Sequence, residues 1–298
     1  MRQIRQPGPP AIERHKAVIS RGGNFTALLQ GGLLIDAVAA AFAARGFQGG
    51  VLRFGAGRLQ PLHYVMPALS QSPEHAAFYS QPFAPKGVTE LSSGAMTFGS
   101  RDGKPFFHCH AWWQEADGKF SGGHILPDAT SLAGPLTIQA TGLQDATFDA
   151  VQDVETGFKL FEPQSLGGAS EASSGRFHAL RLRPNQDLEA ALRAYCRAHG
   201  IARAQVHGGV GSLIGARYAD GRQSPLFATE MAIRSAAIAV EGDSRIEIDL
   251  IDYEGHISGG LISNGDNPVL MTMELVLEAE QMQGLEMQGL EMQENARG

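Results

Sequence analysis

The chain is poor in cysteine and tryptophan, with two of each in 298 residues. Two cysteines, Cys109 and Cys196, cannot build a disulfide framework, so the fold must rest on a hydrophobic core, and a reducing, cytoplasmic setting is expected. No apolar run approaches the roughly 18 residues that a membrane helix needs. The first ten residues carry basic side chains but lack the apolar stretch of a secretory leader, so none is expected. Positive charge is also scarce: 24 Lys and Arg stand against 31 Asp and Glu, a net charge of -7. That balance argues against a non-specific binder of phosphate backbones, whose affinity rests on Lys and Arg neutralising phosphates. What the chain has is 43% hydrophobic residues, enough for a packed core, and 37 glycines, which point to tight turns and close backbone approaches.

The glycines expose an internal repeat. Ala44-Arg45-Gly46-Phe47 through Gly55-Ala56-Gly57-Arg58-Leu59 matches Ala198-His199-Gly200-Ile201 through Gly209-Val210-Gly211-Ser212-Leu213 without a gap. Thr89-Glu90-Leu91 matches Thr229-Glu230-Met231, and Gly118 to Ile125 matches Gly255 to Ile262, both sharing Ser-Gly-Gly. Three matches in one order, in units too long for a solenoid, predict a duplicated domain. The boundaries expected are 12–162 for the first unit, a small-residue linker over 163–175, 176–278 for the second unit, and a low-complexity tail over 279–298.

Within each unit the pattern predicts one amphipathic helix followed by strands, an α+β domain with a mostly antiparallel sheet. In the second unit Phe177–Leu182 alternates as a strand. A helix is expected to start at Pro184-Asn185, with Leu188, Ala191, Leu192, Tyr195 and Cys196 on its buried face and Gly200 as its C-cap. The first unit repeats this with Leu34, Val38, Ala41 and Phe42, ending at Gly46.

The segment richest in chemistry is Phe107-His108-Cys109-His110, followed by a turn at Asp117-Gly118 and then Ser121-Gly122-Gly123-His124. Side chains alternate faces on a strand, so His108 and His110 point one way and Cys109 the other. The turn brings His124 back beside them. Three imidazoles on adjacent strands suit zinc or a similar divalent ion and leave a coordination position open. In the second unit the same register places Arg245, Glu247 and Leu261 where these histidines stand, so the metal site is expected in the first unit alone.

Each unit resembles the PPC (plants-and-prokaryotes conserved) domain. The resemblance is carried in the first unit by Glu90 to Gly94, Asp102-Gly103-Lys104-Pro105, His108-Cys109-His110-Ala111, Gly122 to Leu126 and the segment Asp153 to Leu160. In the second it is carried by Leu180 to Leu188, Cys196 to Gly200 and Gly209 to Leu213. It implies a central, mostly antiparallel sheet, trimeric assembly, and a metal held by the H-x-H and G-G-H histidines, here His108, His110 and His124. The plant members' AT-hook is absent, so direct DNA binding is not expected. A more distant likeness is to acetolactate decarboxylase, which also uses three histidines.

Two functions follow as expectations. One is a metal-dependent enzyme, a lyase or hydrolase, or a binder of a small anionic ligand. There Glu90 is the nearest carboxylate and candidate general base, Arg58 a candidate anion holder, and His63 and Tyr64 candidate pocket residues. The other is a nucleic-acid-associated or scaffolding protein whose metal is structural. Chelation separates them: an enzyme loses turnover, a structural site loses stability.

Overall fold

Two sheets stacked face to face, each with one helix on its outer side, form four layers. The computed structural model describes residues 1–167 and 175–280. The first sheet is built from β2 (Gly22–Leu29), β3 (Gly49–Phe54), β4 (Gly57–Leu59), β5 (Tyr64–Val65), β8 (Thr89–Arg101), β9 (Lys104–Gln114), β10 (Phe120–Ile125) and β11 (Leu136–Leu143). A hairpin of β12 (Ala146–Gln152) and β13 (Lys159–Ser165) extends it. A small two-stranded sheet, β6 (Pro67–Leu69) with β7 (Ala77–Tyr79), lies apart from it. The second sheet is built from β1 (His15–Ser20), β14 (Phe177–Leu182), β15 (Arg203–Leu213), β18 (Thr229–Ala239), β19 (Arg245–Asp252), β20 (Ile257–Leu261) and β21 (Val269–Ala279). The short pair β16 (Ala216–Arg217) and β17 (Gln223–Ser224) accompanies it.

The two sheets share one strand order. The first runs β2-β11-β3-β8-β9-β10 and the second β14-β21-β15-β18-β19-β20, each neighbouring pair antiparallel. Equivalent registers recur: His110 pairs with His124, and Glu247 with Leu261. Chain order and unit do not coincide everywhere. β1 lies early in the chain yet pairs with β14 on the second sheet. The expected linker begins inside a strand, since Pro163 pairs with Phe148 in the β12–β13 hairpin. Residues 168–174 of that linker and 281–298 of the expected tail lie outside the described residues.

The helices are α1 (Leu34–Ala43) and α2 (Leu188–Ala198). Their apolar faces are those that the 3.6-residue spacing predicts: Leu34, Val38 and Phe42 in one core, and Leu188, Leu192, Tyr195 and Cys196 in the other. The start of α2 departs from expectation. Asn185 takes a left-handed φ of 62° and cannot begin a helix. Instead Asp187 caps the first turn by accepting from the Ala190 amide at 2.9 Å. Cys109 and Cys196 are both fully buried free thiols, each in the core beneath its helix. The inner faces of the two sheets meet through Val51, Leu143, Phe148, Phe177 and Val276, and through Ala95, Trp112, Val210 and Ala232.

Candidate metal centre

Strand alternation places the histidines on that inner face. Phe107 and Cys109 point outward beneath α1, while His108 and His110 point toward the second sheet. The β9–β10 turn sets His124 directly across from His110. Gly123 makes that approach feasible: its φ is 155°, and a Cβ there would stand 2.6 Å from the Val65 carbonyl oxygen. The three rings converge, with centroids 4.6, 5.0 and 5.4 Å apart.

The carboxylates come from the other sheet. Glu230, at the start of β18, places Oε2 2.5 Å from His110 Nε2. Glu274, in β21, accepts from His108 Nδ1 at 2.8 Å and is fully buried. Donor atoms of His108, His110, His124 and Glu230 all lie within 4.8 Å of one another.

The hydrogen bonds show what this cluster fits. A backbone carbonyl can only accept, so the 2.9 Å contact from His110 Nδ1 to the Met231 carbonyl fixes the proton on Nδ1. His108 Nδ1 is committed likewise to Glu274. The Nε2 atoms of the two rings lie 3.0 Å apart, and that of His110 faces the Glu230 carboxylate as well. A cation between them, or a second proton on His110, satisfies these acceptors. His124 Nδ1 is buried without a partner. Three imidazoles and one carboxylate match a tetrahedral zinc-type donor set, whose donor separations are roughly 3.4 Å at bond lengths of ~2.1 Å. The carboxylate behind His108 and the carbonyl behind His110 are the outer partners that orient metal-binding imidazoles. A divalent ion would also balance the two buried charges of Glu230 and Glu274.

Burial, and then proximity to His108 and His110, push His124 well below the ordinary histidine range. Burial opposes protonation of His108, but Glu274 and then Glu230 outweigh it and raise its pKa. Tyr79, its ring 5.2 Å from His124, is held well above the ordinary phenol range by burial and by the two glutamates, so it keeps its proton.

The structure thus brings His108, His110 and His124 together and leaves the other sequence candidates outside. Glu90 is exposed, paired in register with Arg58 on one side and Gln114 on the other. It stands five residues along β8 from Ala95, the partner of His110, which is roughly 17 Å at the rise of an antiparallel strand. Its counterpart in the repeat, Glu230, occupies the centre instead. Arg58 lies beside Gly134, and His63 Nδ1 meets the Ala129 carbonyl at 2.6 Å; neither lines the cavities next to the histidines. Tyr64 is buried against Trp113 and Phe83. Sequence reading missed Glu230, Glu274 and Tyr79. Glu274 had a signal: an acid inside the strand Leu270 to Leu277, whose other residues are apolar except Thr272.

Residues 169–280 match the Plants and Prokaryotes Conserved (PCC) domain. The matched span is the half that supplies Glu230 and Glu274 and lacks the histidines. Among solved structures, a metal-containing protein from Archaeoglobus fulgidus overlays with a TM-score of 0.38 at 19% identity, covering 48% of this chain and 95% of its own. A plant- and prokaryote-conserved protein from Pyrococcus horikoshii overlays with a TM-score of 0.39 at 19% identity, covering 50% of this chain and 96% of its own. No curated protein matches the chain. No helix among the described residues is long and apolar enough to cross a membrane.

Proposed function

We propose that the chain binds one divalent ion, zinc or similar, through His108, His110, His124 and Glu230, and uses it to bind or transform a small molecule. The observation that carries this is convergence: one ligand atom from each of His108, His110, His124 and Glu230 lies within 4.8 Å of the others. When bound, the ion would polarise a ligand oxygen or lower the pKa of a water toward about 7. The chain's own contribution is orientation: Glu274 and the Met231 carbonyl hold two of the rings in place, and the protonated Tyr79 phenol stands beside the third as a donor.

We also infer that the chain is a tandem pair of PPC-like units, supported by the common strand order and the equivalent registers of the two sheets. In this reading the second unit gave up the histidines and became the partner that completes the first unit's centre. A scaffolding role with a purely structural metal is the second reading, favoured by the burial of the cluster between the two sheets. The net charge of -7 does not favour direct DNA binding under either reading.

Elemental analysis of protein purified without added metal tests the proposal. One ion per chain is expected, and its loss in His110→Ala. Full stoichiometry in that variant overturns the assignment.

A further inference from the structure

Two segments distinguish the first unit among the described residues: the connection carrying β6 and β7, much longer than the one carrying β16 and β17 at the same place in the second, and the β12–β13 hairpin. Both reach the metal centre. Between them lies a cavity of about 550 Å³ whose floor includes His108, His124 and Glu274. That is the size of a small-molecule site rather than a packing gap.

Its walls are aromatic and continuous. Phe78 stacks on Phe158 at 5.7 Å, Phe158 meets Tyr79 edge-on at 5.9 Å, and Tyr79 lies 5.2 Å from His124. A line of rings thus runs from the surface to a metal ligand. The outermost ring, Phe78, is 46% exposed. A large apolar side chain left open at the mouth of a concave, ring-lined cavity marks a binding surface. Two cations line this cavity, Arg101, whose guanidinium lies 5.2 Å over the Phe106 ring, and Lys159; its carboxylates are Glu274 in the floor and the exposed Asp128. The Asp102 carboxylate, 4.0 Å from Arg101, is already held by Lys159 at 2.8 and 3.1 Å.

From flat apolar walls, one guanidinium and a metal-ligand floor, we propose that this pocket takes a small aryl carboxylate, its ring among Phe78, Tyr79 and Phe158 and its carboxylate read by Arg101. The proposal rests on the metal-centre reading, since that centre forms the pocket floor. Aromatic stacking and the charge-assisted guanidinium contact supply the selectivity.

Titration calorimetry on the zinc-loaded full chain tests this with three probes: benzoate, benzamide and acetate. Benzoate should bind about tenfold tighter than either, because benzamide lacks the charge and acetate the ring. Arg101→Gln and Phe158→Ala should each weaken benzoate by about tenfold while zinc stays at one per chain. Phe78→Ala, at an exposed position that folding tolerates, should weaken benzoate in the same direction. No benzoate binding to protein that holds zinc, or equal affinity for acetate, overturns the pocket and leaves the metal centre standing. Benzoate binding with the same two preferences on protein that takes up no zinc supports the pocket and sinks the metal reading.

Discussion

His110 has no solvent exposure, and each of its nitrogens has a defined neighbour. That makes Glu230 the residue whose chemistry can be varied with least disturbance. Glu230→Gln keeps the shape and removes the charge, so zinc affinity should fall by about tenfold or more, read by competition with a chromophoric chelator. Unchanged affinity would show that Glu230 is not a ligand. A second histidine offers a separate test on the other side of the molecule. His178 is buried, with Nδ1 2.9 Å from the Tyr195 hydroxyl and its ring 5.9 Å from that of His199. Burial, with His199 adding to it, lowers its pKa from 6.5 to about 4. Between these values the unfolded chain holds the proton and the folded chain does not, so this residue's contribution to stability is full above about pH 6.5 and shrinks as pH falls toward 4. Urea midpoints measured at pH 7 and pH 4.5 should drop further in the wild type than in His178→Gln. Equal drops would remove His178 from the account.

At the scale of elements, the histidine strand shows how much alternation alone can say. The period of two placed Cys109 under α1 and the two histidines on the opposite face, as the sequence indicated, because pleating admits no other outcome once Phe107 and Trp113 are buried beneath the helix. The start of α2 was less legible. Pro184 suggested an early first turn, but a left-handed Asn185 displaced the start to Leu188. Asp187 then does two jobs: Oδ1 accepts from Ala190, and Oδ2 accepts from the Asn267 amide at 2.7 Å. Asp187→Ala should therefore destabilise the chain by about 1–2 kcal/mol, seen as a lower thermal midpoint. A change within error would mean that water replaces the cap.

For the whole molecule, the candidate metal centre is a joint between two sheets rather than a property of one. The rings come from the first and both carboxylates from the second, so ion binding should hold the halves together. Assembly beyond one chain is a proposal drawn from the family resemblance, which implies trimers; closed rings are the usual form of homo-oligomers. Light scattering should give a mass near three times 31.7 kDa. A monomer mass would reject that arrangement.

The sequence by itself determined the mostly antiparallel sheet, the helix faces and the meeting of the three histidines on one face, because each depends on local periodicity or on a register that one turn fixes. It pointed to Glu90, whereas the structure sets its counterpart Glu230 beside His110. Glu90 and Glu230 are equivalent in sequence, and nothing local distinguishes them. Which one meets the histidines depends on how two sheets stack: the inner face of β9 looks onto β18 and β21, not along its own sheet toward the start of β8. The same holds for Tyr79 and the aromatic pocket, whose parts lie far apart in the chain and meet only where β7 and the β12–β13 hairpin close over the centre. Contacts between elements distant in sequence carry no periodic trace, so tertiary packing alone decided them.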